Sequence, residues 1–324
     1  MNKLPYEKEF GVLIKKEPET DGEFGKNPEE RTVEELLDFG IINLNKPQGP
    51  TSHQISDYVK KILKVKRAGH SGTLDPNVTG VLPIALNRGT RILKLLLKSG
   101  KEYVCLMHLH SDVSEEKIKK ALKKFVGKIT QKPPVRSAVK RVERERTIYY
   151  LDPLEIDGRS VLFRVGCEAG TYIRTLCVGI GKELGTGAHM TQLIRTKVAR
   201  FNETNWISLH DLKDAYEYYK EGDEKEIRKI VLPIETAVEY FPKVWVFDNC
   251  INSLCHGADL NVPGISRLNE GIEKRDVVAV MTLKNELICV GKAEMSSGEI
   301  MKKNKGKAVT EKKVFIQDAK ISND

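Results

Sequence analysis

Hydrophobic and polar positions recur along this chain with two periods, and the changes of period mark the predicted elements. Residues 52–63 carry apolar side chains at helical spacing, after a Thr-x-x-Gln capping box formed by Thr51 and Gln54. Residues 101–109 instead follow the period of a strand, with apolar side chains at every second position from 103 onward. This apolar face consists of Tyr103, Cys105, Met107 and Leu109.

The rest of the chain is rich in strands, with helices between them. An Asp-x-x-Glu pattern at Asp112 predicts the start of a helix that Gly127 ends, and Asp157-Gly158 predicts a hairpin turn. Because helices and strands do not alternate regularly, we predict an α+β fold rather than repeated βαβ units. Beyond residue 243, short apolar strands separated by turns predict a small all-β domain. The predicted limits are 1–30 for an acidic extension, 31–240 for the main domain and 243–317 for the β domain.

The stretch 69–80 breaks both periods. Its three glycines, one proline and six polar side chains exclude a regular helix or strand interior, and the apolar run 81–86 indicates that the loop lies against a core. Asp75 falls in this loop, shortly after the bases of 64–67. Since a carboxylate repels a phosphate that docks beside it, Asp75 either has a chemical role or simply caps an Asp-Pro turn.

Arg174 also stands at a position that requires a reason. The pattern over 171–185 predicts a helix with Thr171 near its N-cap, so Arg174 falls in the first turn. The helix dipole disfavours a cation there by a few tenths to about 1 kcal/mol, which a facing carboxylate would offset through a bidentate pair. Arg174 is therefore either the partner of a carboxylate or an ordinary surface arginine.

The charge balance favours a polyanionic partner. The chain has 54 Lys and Arg against 45 Asp and Glu, a net charge of +9 and an isoelectric point near 9.0. The first 30 residues hold eight acids and five bases, so the positive excess lies in the remainder, with dense basic runs at 131–150 and 301–313. A basic run is either a solvated face or a nucleic-acid contact.

Cysteine usage and hydropathy indicate an intracellular protein. The six cysteines show no Cys-x-x-Cys pair and no nearby histidine ligands, which predicts reduced thiols and no structural zinc. No apolar run reaches membrane-spanning length, and no signal-peptide pattern is present. We therefore predict a cytoplasmic location.

The order of residues in the loop resembles a known family. The run Gly69 to Pro76 (GHSGTLDP), followed by Thr79 to Pro83 (TGVLP), resembles the catalytic loop of pseudouridine synthases of the TruB type, closest to their dyskerin-like branch. Residues 243–317 resemble the PUA domain, an RNA-binding module. This resemblance implies a pseudouridine synthase fold, a mixed and largely antiparallel sheet with flanking helices, plus a small all-β PUA pseudo-barrel. Further segments resemble motifs of the same family at 45–52, 170–175 and 187–195.

The resemblance also implies roles for individual residues. Asp75 stands in the place of the essential aspartate, and Arg174 in that of the arginine paired with it. Tyr103 matches the tyrosine that stacks on the target uracil, although its position alone also fits a core tyrosine. The implied substrate-binding residues are Lys46, Pro47, His70 and Leu193. The implied RNA-binding residues are Arg136, Lys140 and Arg141 in a thumb loop, and Gly257 and Lys307 in the PUA domain.

The implied activity is the isomerisation of uridine to pseudouridine in rRNA or tRNA, which requires no metal and no diffusible cofactor. Asp75 acts either as a nucleophile at the anomeric carbon or as a base at the adjacent carbon. The dyskerin-like motifs imply the catalytic subunit of a box H/ACA ribonucleoprotein. Its partners would be a guide RNA, a zinc-ribbon Nop-type protein, a Gar-type protein and a kink-turn-binding protein. The alternatives are a stand-alone tRNA T-loop enzyme and an RNA-binding scaffold without catalysis.

Overall fold

The structure is a computed structural model that describes residues 3–20, 23–133 and 140–316. The helices in this part of the chain are α1 (Val33–Phe39), α2 (Ser52–Ile62), α3 (Leu93–Lys98), α4 (Glu115–Lys124), α5 (Ile173–Glu183), α6 (Leu209–Lys220), α7 (Lys225–Ile230), α8 (Ile251–Cys255) and α9 (Ser297–Lys302). Short 3₁₀ helices occupy Pro28–Glu30, Asn87–Ile92, Ile234–Val238, Asp248–Cys250 and Val262–Gly264.

The strands alternate irregularly with these helices. Up to the end of α7 they are β1 (Val12–Ile14), β2 (Gly40–Lys46), β3 (Ala68–His70), β4 (Thr79–Leu86), β5 (Lys101–Leu109), β6 (Gly127–Gln131), β7 (Arg144–Asp157), β8 (Ser160–Cys167), β9 (Ala188–Val198) and β10 (Phe201–Asn202). The later strands are β11 (Leu232–Pro233), β12 (Lys243–Val246), β13 (Leu260–Asn261), β14 (Ile265–Asn269), β15 (Val277–Met281), β16 (Leu287–Ala293) and β17 (Lys307–Val314).

The chain divides into two compact units. The first comprises Met1–Glu7, Ile42–Ala85 and Ile92–Glu226, and the second comprises Lys8–Ile41, Leu86–Arg91 and Ile227–Asp324.

The first unit is built on a mixed sheet in the strand order β2-β4-β9-β5-β8-β7-β6. From β9 to β6 each neighbouring pair is antiparallel, whereas β4 and β9 run parallel. The short strands β3 and β10 pair with β4 and β9. The predicted α+β fold with a mixed, largely antiparallel sheet is therefore confirmed.

The core of this unit lies between the sheet and helices α4 and α5. The apolar face of β5 is buried as its alternation predicts, with no exposed surface on Cys105, Met107 or Leu109. These side chains pack in one cluster with residues of β8, α4 and α5, among them Phe163, Ile118 and Leu176. The burial of this face fixes the register of β5, because a slip of one residue would turn the whole apolar face outward.

Helix α2 begins where its capping box predicts. The Thr51 side chain accepts the backbone N–H of Gln54, and the Gln54 side chain accepts that of Thr51. Ile55 and Val59 are then buried at helical spacing.

The predicted start of α4 was wrong. The N-cap is Ser114 rather than Asp112, because both Asp112 carboxylate oxygens accept hydrogen bonds from Arg159, at 2.8 and 2.9 Å. Gly127 does not end the helix either; it begins β6 with φ +103°. The Asp112 side chain is thus engaged by a residue 47 positions away rather than by the first turn of α4, and no local pattern reveals this partner.

The second unit contains a β domain, as predicted for residues beyond 243. Its sheet has the order β1-β14-β12-β15-β16-β17-β13, with β12 and β15 parallel. Apolar residues of these strands and of α8 and α9 form one core cluster. Strand β1 comes from the acidic stretch 1–30 and pairs antiparallel with β14, so this part of the extension is docked on the sheet.

Among the described residues, none of the helices is long and apolar enough to cross a membrane.

Candidate active site

A cavity of about 460 Å³ in the first unit brings together four of the predicted site residues: Asp75, Tyr103, Arg174 and Leu193. It is lined by the loop 72–78, by the start of α5, and by residues of β5 and β9. The sheet register explains the convergence of the strand residues, since Tyr103 lies opposite Arg195 and Cys105 opposite Leu193.

The loop that carries Asp75 is held by buried contacts on both sides of it. Leu74 and Val78 are only 4% and 3% exposed. The Ser52 hydroxyl accepts the N–H of Leu74 at 2.8 Å and donates to the Leu74 carbonyl at 3.2 Å. These contacts fix the backbone on either side while the Asp75 side chain remains half exposed.

Lys46 supports the same loop from within the core. Its side chain is fully buried, and Nζ donates to the carbonyls of Pro47, Pro76 and Val78 at 2.9, 3.1 and 2.9 Å. Burial lowers the pKa of Lys46, and the nearby Arg195 charge adds to this shift. Pro47 is exposed, and neither Lys46 nor Pro47 is among the residues that line the cavity.

Asp75 and Arg174 form an ion pair at the cavity. Arg174 Nη2 lies 3.0 Å from Asp75 Oδ2, with side chains 41% and 50% exposed. Arg174 is the second residue of α5, and Tyr172 caps that helix without a side-chain hydrogen bond. The guanidinium at the start of α5 therefore holds the carboxylate of the loop in a defined direction at the cavity.

Tyr103 lines the cavity with 9% of its surface exposed. Burial raises the pKa of its hydroxyl, and the facing Arg195 guanidinium opposes the shift. The ring is thus a neutral phenol at the edge of a largely apolar surface. Leu193, Met190 and Val78 contribute further apolar lining.

His70 lies at the end of β3, outside the set of cavity-lining residues. Its Nδ1 accepts the N–H of Gly72 at 3.3 Å, and its ring meets that of His53 edge-on at 4.8 Å. Burial, followed by the charges of His53 and Arg195, lowers the pKa of His70 to about 4. At neutral pH a neutral imidazole therefore shapes the turn that precedes Asp75.

Two cavity residues were missed at the level of sequence. Lys101 and Arg195 are 5% and 1% exposed, and both line the cavity. Burial, followed by the charge of Arg195, lowers the pKa of Lys101 to about 7. The period of two could have revealed both residues, because Lys101 shares a face with Tyr103 and Arg195 shares one with Leu193.

Gly80 allows β4 to approach Arg195 closely. A Cβ at position 80 would lie 2.2 Å from the Arg195 carbonyl oxygen, and φ at Gly80 is +108°. Only glycine tolerates both conditions.

None of the predicted RNA-binding residues that the structure describes is among the residues that line the cavity. Arg136 falls outside the described residues. Lys140 and Arg141 are exposed, and Arg141 Nε donates to the Pro133 carbonyl at 3.2 Å. In the second unit Gly257 is exposed with φ +90°, and Lys307 Nζ lies 3.0 Å from an Asp259 carboxylate oxygen.

Comparison with known families assigns most of the chain. The TruB family pseudouridylate synthase N-terminal domain matches residues 60–173, and the tRNA pseudouridylate synthase B C-terminal domain matches 174–239. A DKCLD domain matches 3–56 and a PUA domain matches 242–315.

Full-length relatives agree with these matches. A probable tRNA pseudouridine synthase B of Thermococcus kodakarensis is 54% identical over 97% of this chain and 94% of its own length. The chain therefore belongs to the TruB family of pseudouridylate synthases, as its motifs predicted, and it is an enzyme of that class.

Two solved structures are similar over nearly the whole chain. One is a crystal structure of a Cbf5-Nop10-Gar1 complex, with a TM-score of 0.92, 53% identity and 97% coverage of both chains. The other is an H/ACA RNP bound to a substrate RNA containing 2'-deoxyuridine, with a TM-score of 0.91, 51% identity and 98% coverage of both chains.

Proposed function

We propose that this pseudouridine synthase is the catalytic subunit of a guide-RNA-directed box H/ACA ribonucleoprotein that isomerises uridine in rRNA or tRNA. The near full-length similarity to the Cbf5 complex and to the RNA-bound H/ACA RNP supports the guided form. The observation that carries the catalytic assignment is the Asp75–Arg174 pair at 3.0 Å, facing a cavity that also presents Tyr103.

Asp75 is the residue proposed to act on the ribose of the target nucleotide. As a nucleophile it attacks the anomeric carbon; as a base it removes a proton from the adjacent carbon. Both roles require an oriented carboxylate, and the pair with the Arg174 guanidinium supplies this orientation. The target base must leave its stack to reach Asp75, and we propose that Tyr103 stacks on it while Leu193 supplies an apolar contact.

RNA contacts outside the cavity are proposed for two segments. Exposed Lys140 and Arg141, with Arg136, suit a loop that grips the substrate backbone, and the PUA positions Gly257 and Lys307 suit the guide RNA. On this proposal 31–240 forms the catalytic domain, 243–317 the PUA domain and 1–30 an acidic extension. The proposed protein partners are the zinc-ribbon Nop-type, Gar-type and kink-turn-binding subunits, and we place the assembly in the cytoplasm.

The test is reconstitution with a guide RNA, the three partner proteins and a substrate RNA, followed by mass-spectrometric detection of pseudouridine. We expect conversion at the guided uridine, and none there when the guide is replaced by an unrelated sequence. Conversion of the tRNA T-loop by the chain alone, with no guided activity, would favour the stand-alone enzyme. RNA binding without conversion in either format would favour the scaffold.

A further inference from the structure

The cavity lining carries more positive than negative charge. Its charged residues are three cations, Lys101, Arg174 and Arg195, and one carboxylate, Asp75. Because Asp75 is paired with Arg174, the charges of Lys101 and Arg195 remain without a carboxylate partner in this lining. We call these two residues the cavity cations.

Backbone carbonyls hold both cavity cations, and Arg195 also donates a hydrogen bond to the Tyr103 side chain. Lys101 Nζ donates to Leu96, Leu97 and Ser99 at 3.1, 2.9 and 2.6 Å. Arg195 Nε donates to the Val81 carbonyl at 2.7 Å, and its Nη2 to that of Gly72 at 3.2 Å. Carbonyl dipoles reduce the cost of burying a cation but do not cancel its charge, so both positions are costly unless an anion forms nearby.

The anion must reach side chains that are at most 5% exposed. A backbone phosphate is strongly hydrated and stays at the protein surface, whereas a base taken out of its stack enters the cavity. A uracil ring is neutral while it is joined to the ribose, and it becomes negative when that bond breaks. Positive charge aimed at developing negative charge is a large source of rate acceleration. The pKa of Lys101 lies at about 7, so a ring that becomes negative beside it favours the protonated form of this lysine.

We propose that Lys101 and Arg195 stabilise the uracil ring as an anion during the interval in which it is detached from the ribose. This inference rests on the proposed function. On this inference the cavity cations stabilise the departing base, whereas Asp75 acts on the ribose and Arg174 orients Asp75.

The step balances without a co-reactant. The bond between N1 and the anomeric carbon breaks with its electron pair on N1, while Asp75 bonds to that carbon or takes the proton from its neighbour. The ring then turns, and C5 uses an electron pair to bond to the anomeric carbon, with Asp75 released or its proton returned. C5 finally loses its proton and N1 gains one, so the product is an isomer of the substrate.

A change of leaving group tests the proposal. Fluorine at C5 withdraws electrons and stabilises the detached ring by itself, so a 5-fluorouridine substrate depends less on the protein's charge. Single-turnover loss of the N-linked nucleoside is measured for uridine and 5-fluorouridine in the assembly that converts uridine. For Lys101→Met and Arg195→Met we expect losses of at least about 30-fold on uridine but less than about fivefold on 5-fluorouridine.

Lys46→Met is the matched control. Lys46 is also a buried lysine held by three carbonyls, but it does not line the cavity, so its replacement should slow both substrates by the same factor. Circular dichroism identifies a variant that fails to fold. If Arg195→Met does not fold, the comparison of the two substrates with Lys101→Met tests the proposal. Equal losses on the two substrates for the folded variants would overturn the proposal. Failure of the unmodified protein to convert uridine would instead contradict the proposed function.

Discussion

Replacing Arg174 with alanine should separate stability from activity. The Asp75–Arg174 pair is about half exposed on each side, and exposed pairs contribute about 0–1 kcal/mol to folding. For catalysis the same guanidinium fixes the direction of the Asp75 carboxylate, and a misplacement of about 1 Å at a reacting group costs on the order of a hundredfold in rate. We therefore expect the free energy of unfolding of Arg174→Ala to lie within about 1 kcal/mol of that of the unmodified protein. The variant should nevertheless lose at least about 2.7 kcal/mol of transition-state stabilisation.

The assay combines urea denaturation with single-turnover conversion of a uridine substrate. Arg159→Ala is the matched control, since Arg159 also pairs with an exposed carboxylate, that of Asp112, in the same unit, but does not line the cavity. Its turnover should be unchanged. Arg174→Ala with full turnover, or with a turnover loss no larger than its stability loss explains, would refute the assigned role.

Three further outcomes follow from buried groups. Lys46→Met leaves three carbonyls without their donor and should destabilise the protein by about 3 kcal/mol in urea; an unchanged midpoint would contradict this. The pKa of His70 is lowered to about 4 in the folded protein, so the contribution of His70 to folding stability is full above pH 6.5 and is lost as the pH falls toward 4. His70→Gln should therefore reduce the slope of the unfolding free energy against pH in this range. An unaltered slope would contradict this prediction. Cys105 and Cys177 are buried with Sγ atoms 3.6 Å apart, and their hydrogen bond and burial raise the pKa of Cys105; both should resist alkylation in the folded protein, and labelling at the rate of part-exposed Cys255 would refute this.

Several features of the site could be predicted because they depend on local patterns. The capping box at Thr51 fixes the start of α2, and the period of two identifies the buried face of β5 with Tyr103 at its beginning. The motif over 170–175 places Arg174 in the first helical turn, where only a facing carboxylate makes a cation favourable.

Other features depend on contacts between distant segments. The side chain of Asp112 pairs with Arg159 instead of capping α4, which begins after Ser114. Lys101 and Arg195 look like ordinary polar residues at strand positions, and their importance emerges only with burial and with the carbonyls that hold them. A charged residue on the apolar face of a predicted strand is nevertheless a signal that sequence analysis can search for.

The most direct measurement is conversion of uridine by Asp75→Asn in the reconstituted particle. The amide has nearly the same shape as the carboxylate, but it neither attacks the ribose nor accepts its proton. We predict that conversion is abolished while guide RNA binding changes by less than about tenfold, or about 1.4 kcal/mol. Equal conversion by the variant and the unmodified protein would remove Asp75 from the chemistry.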